Sequence, residues 1–238
     1  MPDKRLLLLS NSTNLGEGYL EYPQKTIQQF LGNSVKNVLF IPYAGVGLSY
    51  NQYTQKVASS FAQIGYQVRG IHAFPNPVEA VLTADAIVIG GGNTFALLNQ
   101  LYLNKLINPI RKVVANGIPF LGWSAGSNVA SPTIKTTNDM PIVEPPSFEA
   151  LNLVPFQINP HYTESRLPNH GGESRVDRLN EFIELNPGIN VVAIPEGDIL
   201  KIVDNSVKHI GTGPIKVFRR GQKIIEFDPS DNLDFLMD

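Results

Sequence analysis

The chain has 238 residues, 42% of them hydrophobic and 17% charged, enough length and apolar content to bury a sizeable core. Lys and Arg number 19 against 21 Asp and Glu, a net charge of −2, and no long basic run offers an electrostatic footprint for nucleic acid. Cysteine is absent, which excludes disulfides, thiolate nucleophiles and cysteine-based metal sites and fits a reducing compartment.

Arg5 to Leu9 is the first expected strand. The run Leu6 to Leu9 is too short for a signal-peptide core or for a membrane span of about 20 apolar residues. A soluble, cytoplasmic chain without a membrane partner is therefore expected. Pro23 to Leu31 reads as a helix with Pro23 near its first turn, and Asn37 to Ile41 as the second strand. Tyr53, Val57, Phe61 and Ile64 recur at helical spacing within Tyr50 to Ile64, and Gly65 stops that helix. Gln67 to Ile71 and Ala86 to Ile89 are expected strands, Thr94 to Asn116 is helical with a break near Pro109, and Pro119 to Gly122 is another buried strand. Short apolar runs without alternation, separated by helices, predict a parallel sheet covered on both faces. After a strand at Val191 to Ile194 the pattern changes. Ile199–Val203, Val207–Ile210, Ile215–Phe218 and Lys223–Phe227 are short runs joined by Asp204-Asn205, Gly211 to Gly213 and Arg220 to Gln222. They predict hairpins that extend the sheet antiparallel at the C-terminal end. No repeat or linker is visible, so one α/β domain over residues 1–238 is expected.

Chemistry concentrates first at Gly122-Trp-Ser-Ala-Gly126, a Gly-x-Ser-x-Gly pattern that ends an apolar strand. A serine on a tight strand-to-helix turn has strained backbone angles, and small neighbours relieve the crowding across that turn. Ser124 is thereby the candidate nucleophile, held at the carboxyl end of a strand where open α/β folds build their sites. The competing explanation is a serine serving only as a helix cap. A second cluster, Gly90-Gly-Gly-Asn93, ends another buried strand. It lacks the Gly-Lys-Ser/Thr ending of a phosphate loop and the spacing of a dinucleotide fingerprint. Its backbone N–H groups at Gly91 or Gly92, together with that of Ala125, form a candidate oxyanion hole.

The chain has four histidines from which to choose a base. His161 ends the apolar run Val154 to Pro160, again a strand end, whereas His72, His170 and His209 lie in less favourable places. An acid must orient the imidazole. Glu196 follows the strand Val191 to Ile194, and Asp139 lies in a Pro-containing loop; spacing alone does not choose between them. No metal-binding spacing is visible among the histidines.

Six segments, in order, resemble peptidase E, the aspartyl dipeptidases. They are Gly90-Gly-Gly-Asn-Thr-Phe95, Gly122-Trp-Ser-Ala-Gly-Ser-Asn128, Asn138-Asp-Met-Pro-Ile142, Asn159-Pro-His161, Gly172-Glu-Ser-Arg175 and Pro195-Glu-Gly197. The resemblance runs from the first strand to about Gly213. It implies a flavodoxin-like, class I glutamine amidotransferase-like fold, with a mostly parallel sheet flanked by helices and C-terminal β-hairpins. It also implies a Ser124–His161–Glu196 triad, in a chain order that differs from the Ser, acid, His order of α/β-hydrolases. The implied substrates are small dipeptides with an N-terminal aspartate, whose carboxylate Arg175 grips. Asn93 and Asp139 become candidate substrate-binding residues, Asp139 alternatively ordering the loop. No cofactor is implied, and a monomer or homodimer is expected. The rival readings are a related hydrolase for isoaspartyl or cyanophycin-type peptides and a binding module that has lost catalysis.

Overall fold

In a computed structural model that describes residues 3–165 and 171–238, strands and helices alternate through the first two-thirds of the chain. The order is β1 (Arg5–Leu9), α1 (Gln24–Leu31), β2 (Asn37–Ile41), α2 (Tyr50–Ala62), β3 (Gln67–Gly70), α3 (Pro77–Leu82), β4 (Ala86–Ile89), α4 (Thr94–Leu103), α5 (Ile107–Ala115), β5 (Phe120–Trp123) and α6 (Ala125–Asn128). Then come β6 (Gln157–Tyr162), α7 (Arg175–Leu185), β7 (Val191–Pro195), β8 (Ile199–Val203), β9 (Ser206–Ile210), β10 (Ile215–Phe218) and β11 (Ile225–Phe227). Among the described residues, no helix is long and apolar enough to cross a membrane.

The main sheet has the order β3-β2-β4-β5-β1-β8-β9, parallel from β3 to β1 and antiparallel beyond. The unbroken apolar runs have a simple cause. Leu6 and Leu8 of β1 pack into one core layer with α4 and α5, and Leu7 and Leu9 pack into the other with α1 and α2. Alternate side chains of a strand point to opposite faces, so a strand covered on both sides must be apolar at every position. Val38 and Phe40 against Leu39 and Ile41 in β2 repeat the division.

Two expectations are corrected. The helical stretch from Thr94 breaks at Asn104–Leu106 and not near Pro109. Lys105 adopts a left-handed φ of 56°, its N–H bonds to the Tyr102 carbonyl, and the Leu106 N–H reaches back to the Leu101 carbonyl. This is a Schellman ending, with Leu106 and Leu101 in the same apolar cluster. Pro109 lies in the first turn of α5, where its missing N–H leaves no helical bond unmade. The C-terminal hairpins also divide between two sheets. β8 and β9 extend the main sheet beside β1, while β10 and β11 join β7 and β6 in a second sheet of order β11-β10-β7-β6. Gly211 to Gly213 is thus a passage between sheets and not a hairpin turn.

The second sheet lies between two apolar layers. Ile158, Val192, Ile194 and Val217 face the main core, whereas Tyr162, Val191, Ala193 and Phe218 pack with Leu179 and Ile183 of α7. Ile158 and Tyr162 are four residues apart and would share a face in a regular strand. They do not, because β6 pairs Asn159 with Ala193 but Tyr162 with Pro195, which leaves one extra residue at Pro160–His161. That bulge is what re-aims His161.

Candidate active site

Ser124 stands between β5 and α6 at φ 53° and ψ −115°, a sparsely populated conformation for a residue with a side chain. The turn is held from below, with the Ser124 N–H bonded to the Leu9 carbonyl and the Ser127 hydroxyl to the carbonyls of Leu9 and Gly122. Its flanking glycines answer a steric demand. A Cβ at Gly122 would lie 2.4 Å from the Gly126 carbonyl oxygen, and one at Gly126 would lie 2.1 Å from that of Ile89.

His161, on the β6 bulge, is the second residue of the site in a left-handed conformation, at φ 54°. Its Nδ1 lies 2.8 Å from Glu196 Oε1 and its Nε2 lies 2.8 Å from Ser124 Oγ. A carboxylate only accepts, so Nδ1 carries the proton and Nε2 is left to receive the Ser124 hydroxyl. The structure therefore brings Ser124, His161 and Glu196 into one hydrogen-bonded line from the ends of β5, β6 and β7. Of the other histidines, His72 bonds to Asn51 and His209 is buried against Asp198, while His170 lies outside the described residues.

The sequence reasoning did not single out the residues at the end of β1. The Ser10 hydroxyl accepts the His161 N–H at 2.8 Å and donates to the Ile194 carbonyl at 2.8 Å. Asn11 Oδ1 accepts the Gly197 N–H at 2.8 Å, and the Ser10 N–H bonds to the Asp198 carbonyl. The residues that follow β1 thus brace both the backbone at His161 and the turn that carries Glu196. The available signal was a Ser-Asn pair following four leucines, polar residues at the end of a fully buried strand.

Asp198 is fixed in turn by His209, with Nε2 to Oδ2 at 3.0 Å and both side chains almost fully buried. His209→Leu leaves Oδ2 of that buried carboxylate without its partner, Oδ1 keeping the Thr212 N–H, a loss of about 1–3 kcal/mol. At about 2–4 °C per kcal/mol for a chain of this size, thermal denaturation should register the drop directly.

Gly91, Gly92 and Asn93 lie beside the serine in a cleft of about 450 Å³ that Ser124 and His161 also line. Gly92 has φ 133°, and a Cβ there would lie 2.2 Å from the Ala44 carbonyl oxygen. Among the described residues, the N–H groups of Gly91, Gly92 and Ala125 form no hydrogen bond, whereas those of Gly90 and Asn93 are tied to Ile41 and Ala44. Free backbone donors on both sides of a strained serine are the elements of an oxyanion site.

The remaining candidate residues divide. The Asn93 side chain caps α4 by accepting the Ala96 N–H and donates to the Met140 carbonyl, so its amide is already engaged. Asp139 Oδ2 accepts from the N–H and hydroxyl of Thr94 at 2.7 and 2.5 Å and from the Thr137 hydroxyl at 3.1 Å. It therefore secures the 138–142 loop on the start of α4, and His161 bonds to Glu196 instead. Arg175 opens α7 and is not among the residues that line the cleft. Its guanidinium is half-buried, and Nη1 is shut from solvent with no hydrogen-bond partner among the described residues. Burial, with Arg178 nearby, holds it below the usual arginine range.

Comparison with known proteins places the chain in a family. The model of peptidase family S51 matches residues 6–210. Peptidase E of Nostoc sp. (strain PCC 7120) is 55% identical over 235 residues, covering 99% of this chain and 97% of that protein. Peptidase E of Shewanella sp. (strain W3-18-1) is 49% identical over 212 residues, 89% of each. The crystal structure of a peptidase from an acI-B1 Actinobacterium superposes with a TM-score of 0.71 over 97% of this chain and 96% of that one, at 17% identity, a likeness of fold alone.

Proposed function

The chain belongs to peptidase family S51, and on that premise we propose that it is a serine dipeptidase that cleaves Asp-Xaa substrates through an acyl-enzyme. The observation that carries the reading is the unbroken line Ser124 Oγ–His161–Glu196, with 2.8 Å at each junction.

In the proposed reaction His161 Nε2 takes the Ser124 proton as Oγ attacks the aspartyl carbonyl. Glu196 accepts the Nδ1–H throughout, which fixes the tautomer and stabilises the imidazolium. The tetrahedral oxyanion is received by the N–H of Ala125 and that of Gly91 or Gly92. Collapse of the intermediate breaks the peptide bond, and His161 delivers its proton to the departing amine. A water molecule, deprotonated by His161, then splits the aspartyl ester and restores Ser124.

Recognition of the aspartyl carboxylate is assigned to Arg175. What supports this is a partly desolvated guanidinium whose Nη1 lacks a counter-group among the described residues. A planar, forked donor set of this kind suits a bidentate carboxylate. The test is a panel of Asp-Leu, Glu-Leu, Ala-Leu and isoAsp-Leu. Rapid cleavage of Asp-Leu alone is expected, and Arg175→Met should reduce it by about 10- to 100-fold, the value of a charge-assisted hydrogen bond. Preferential cleavage of isoAsp-Leu would retain the chemistry and overturn the specificity.

A further inference from the structure

Among the described residues, the cleft around Ser124 and His161 is lined by one lysine, Lys56 of α2, and by no arginine, Asp or Glu. Three observations tie Lys56 to the reacting serine. Its Nζ stands 4.0 Å from the centroid of the Tyr19 ring, a cation–π contact that restrains the flexible stem. Tyr19 meets Trp123, the residue before Ser124, edge to face at 6.3 Å. One helical turn before Lys56, the Tyr53 hydroxyl donates to the Gly91 carbonyl at 2.9 Å, so the face of α2 that bears both residues is docked on the glycine loop.

Among the described residues Lys56 takes part in no ion pair, and the nearby carboxylate Glu21 is engaged with the Gly18 N–H. Burial raises Tyr19 and Tyr53 above the ordinary phenol range, so neither supplies a negative charge at neutral pH. Among the described residues the carboxylate closest to this lining, Glu196, lies behind the imidazole on Nδ1, and a cleft lined by a cation and by no Asp or Glu favours an acidic occupant. An Asp-Xaa dipeptide carries two carboxylates, on the aspartyl side chain and at the C-terminus, and Arg175 answers only one of them.

We propose that Lys56 is a substrate-binding residue that receives a carboxylate of the peptide whose scissile carbonyl lies at Ser124. This inference rests on the peptidase reading above.

The experiment measures kcat/KM for Asp-Leu, Asn-Leu and Asp-Leu-amide with wild type, Lys56→Met and Lys56→Arg. The Met variant is expected to lose about 10- to 100-fold on Asp-Leu, chiefly in KM, with Lys56→Arg recovering most of the loss. If Lys56 reads the C-terminal carboxylate, its loss on Asp-Leu-amide is under about 3-fold and the acid-over-amide preference of wild type disappears. If it reads the aspartyl carboxylate, the Asp-over-Asn preference disappears instead. Either result supports the proposal and names the carboxylate. Wild type that cleaves Asp-Leu while Lys56→Met leaves both preferences intact overturns it. Failure of the underlying reading looks different: wild type itself cleaves none of the three peptides, and the inference falls with it.

Discussion

Ser124→Ala is expected to lower kcat/KM for Asp-Leu by roughly 10⁴- to 10⁶-fold while the protein stays folded. The size follows from what one oxygen does at this position. It is the attacking atom, it holds the proton that His161 accepts, and it sits on a turn whose conformation is enforced by its neighbours. The fold has little stake in the hydroxyl, whose one bond among the described residues is the 2.8 Å contact with His161. The turn is braced through the Ser124 N–H and the Ser127 hydroxyl, which the substitution retains. Melting temperature and far-ultraviolet circular dichroism should therefore change little. Because the two groups act as a unit, Ser124→Ala combined with His161→Ala should be scarcely worse than either alone. A double variant showing the product of the two single losses would contradict that coupling.

The second large effect separates two carboxylates that spacing in the chain does not distinguish. Glu196→Gln should reduce kcat by roughly 10³- to 10⁴-fold with KM little changed, since an amide neither enforces the Nδ1–H tautomer nor balances the imidazolium. Asp139→Asn should behave differently. That carboxylate accepts two bonds from Thr94 at the start of α4 and one from Thr137, so its loss removes a helix-end anchor. The expected cost is about 0.5–2 kcal/mol of stability, with kcat reduced far less than in Glu196→Gln. Steady-state kinetics and thermal melts on the same two variants make the comparison. Equal losses of kcat would remove the distinction.

Much of this was legible in the chain because steric and solvation demands leave few residue types acceptable. The four leucines of β1 signal a strand buried on both faces, and the glycines around Ser124 signal a turn where a Cβ has no room. The Schellman ending of α4 escaped notice because Lys105 occupies a left-handed position where glycine is the usual marker. The second sheet escaped for a different reason. A short apolar run reveals a buried strand but not which sheet it joins, and β7 is apolar because it separates the main core from α7. Ser10 and Asn11 gain their roles only when β1 meets β6 and the turn after β7, an approach no local pattern records. Lys56 reads in the chain as one more charge on the wet face of an amphipathic helix. Only the docking of Tyr53 on the glycine loop shows that this face borders the cleft.

The most direct test of the Ser124–His161–Glu196 assignment is covalent labelling with a fluorophosphonate, read by intact mass and peptide mapping. Wild type should gain a single adduct on Ser124, Ser124→Ala should gain none, and Glu196→Gln should label far more slowly. A protein that cleaves Asp-Leu yet stays unlabelled at Ser124, or carries the adduct on another residue, would contradict the account.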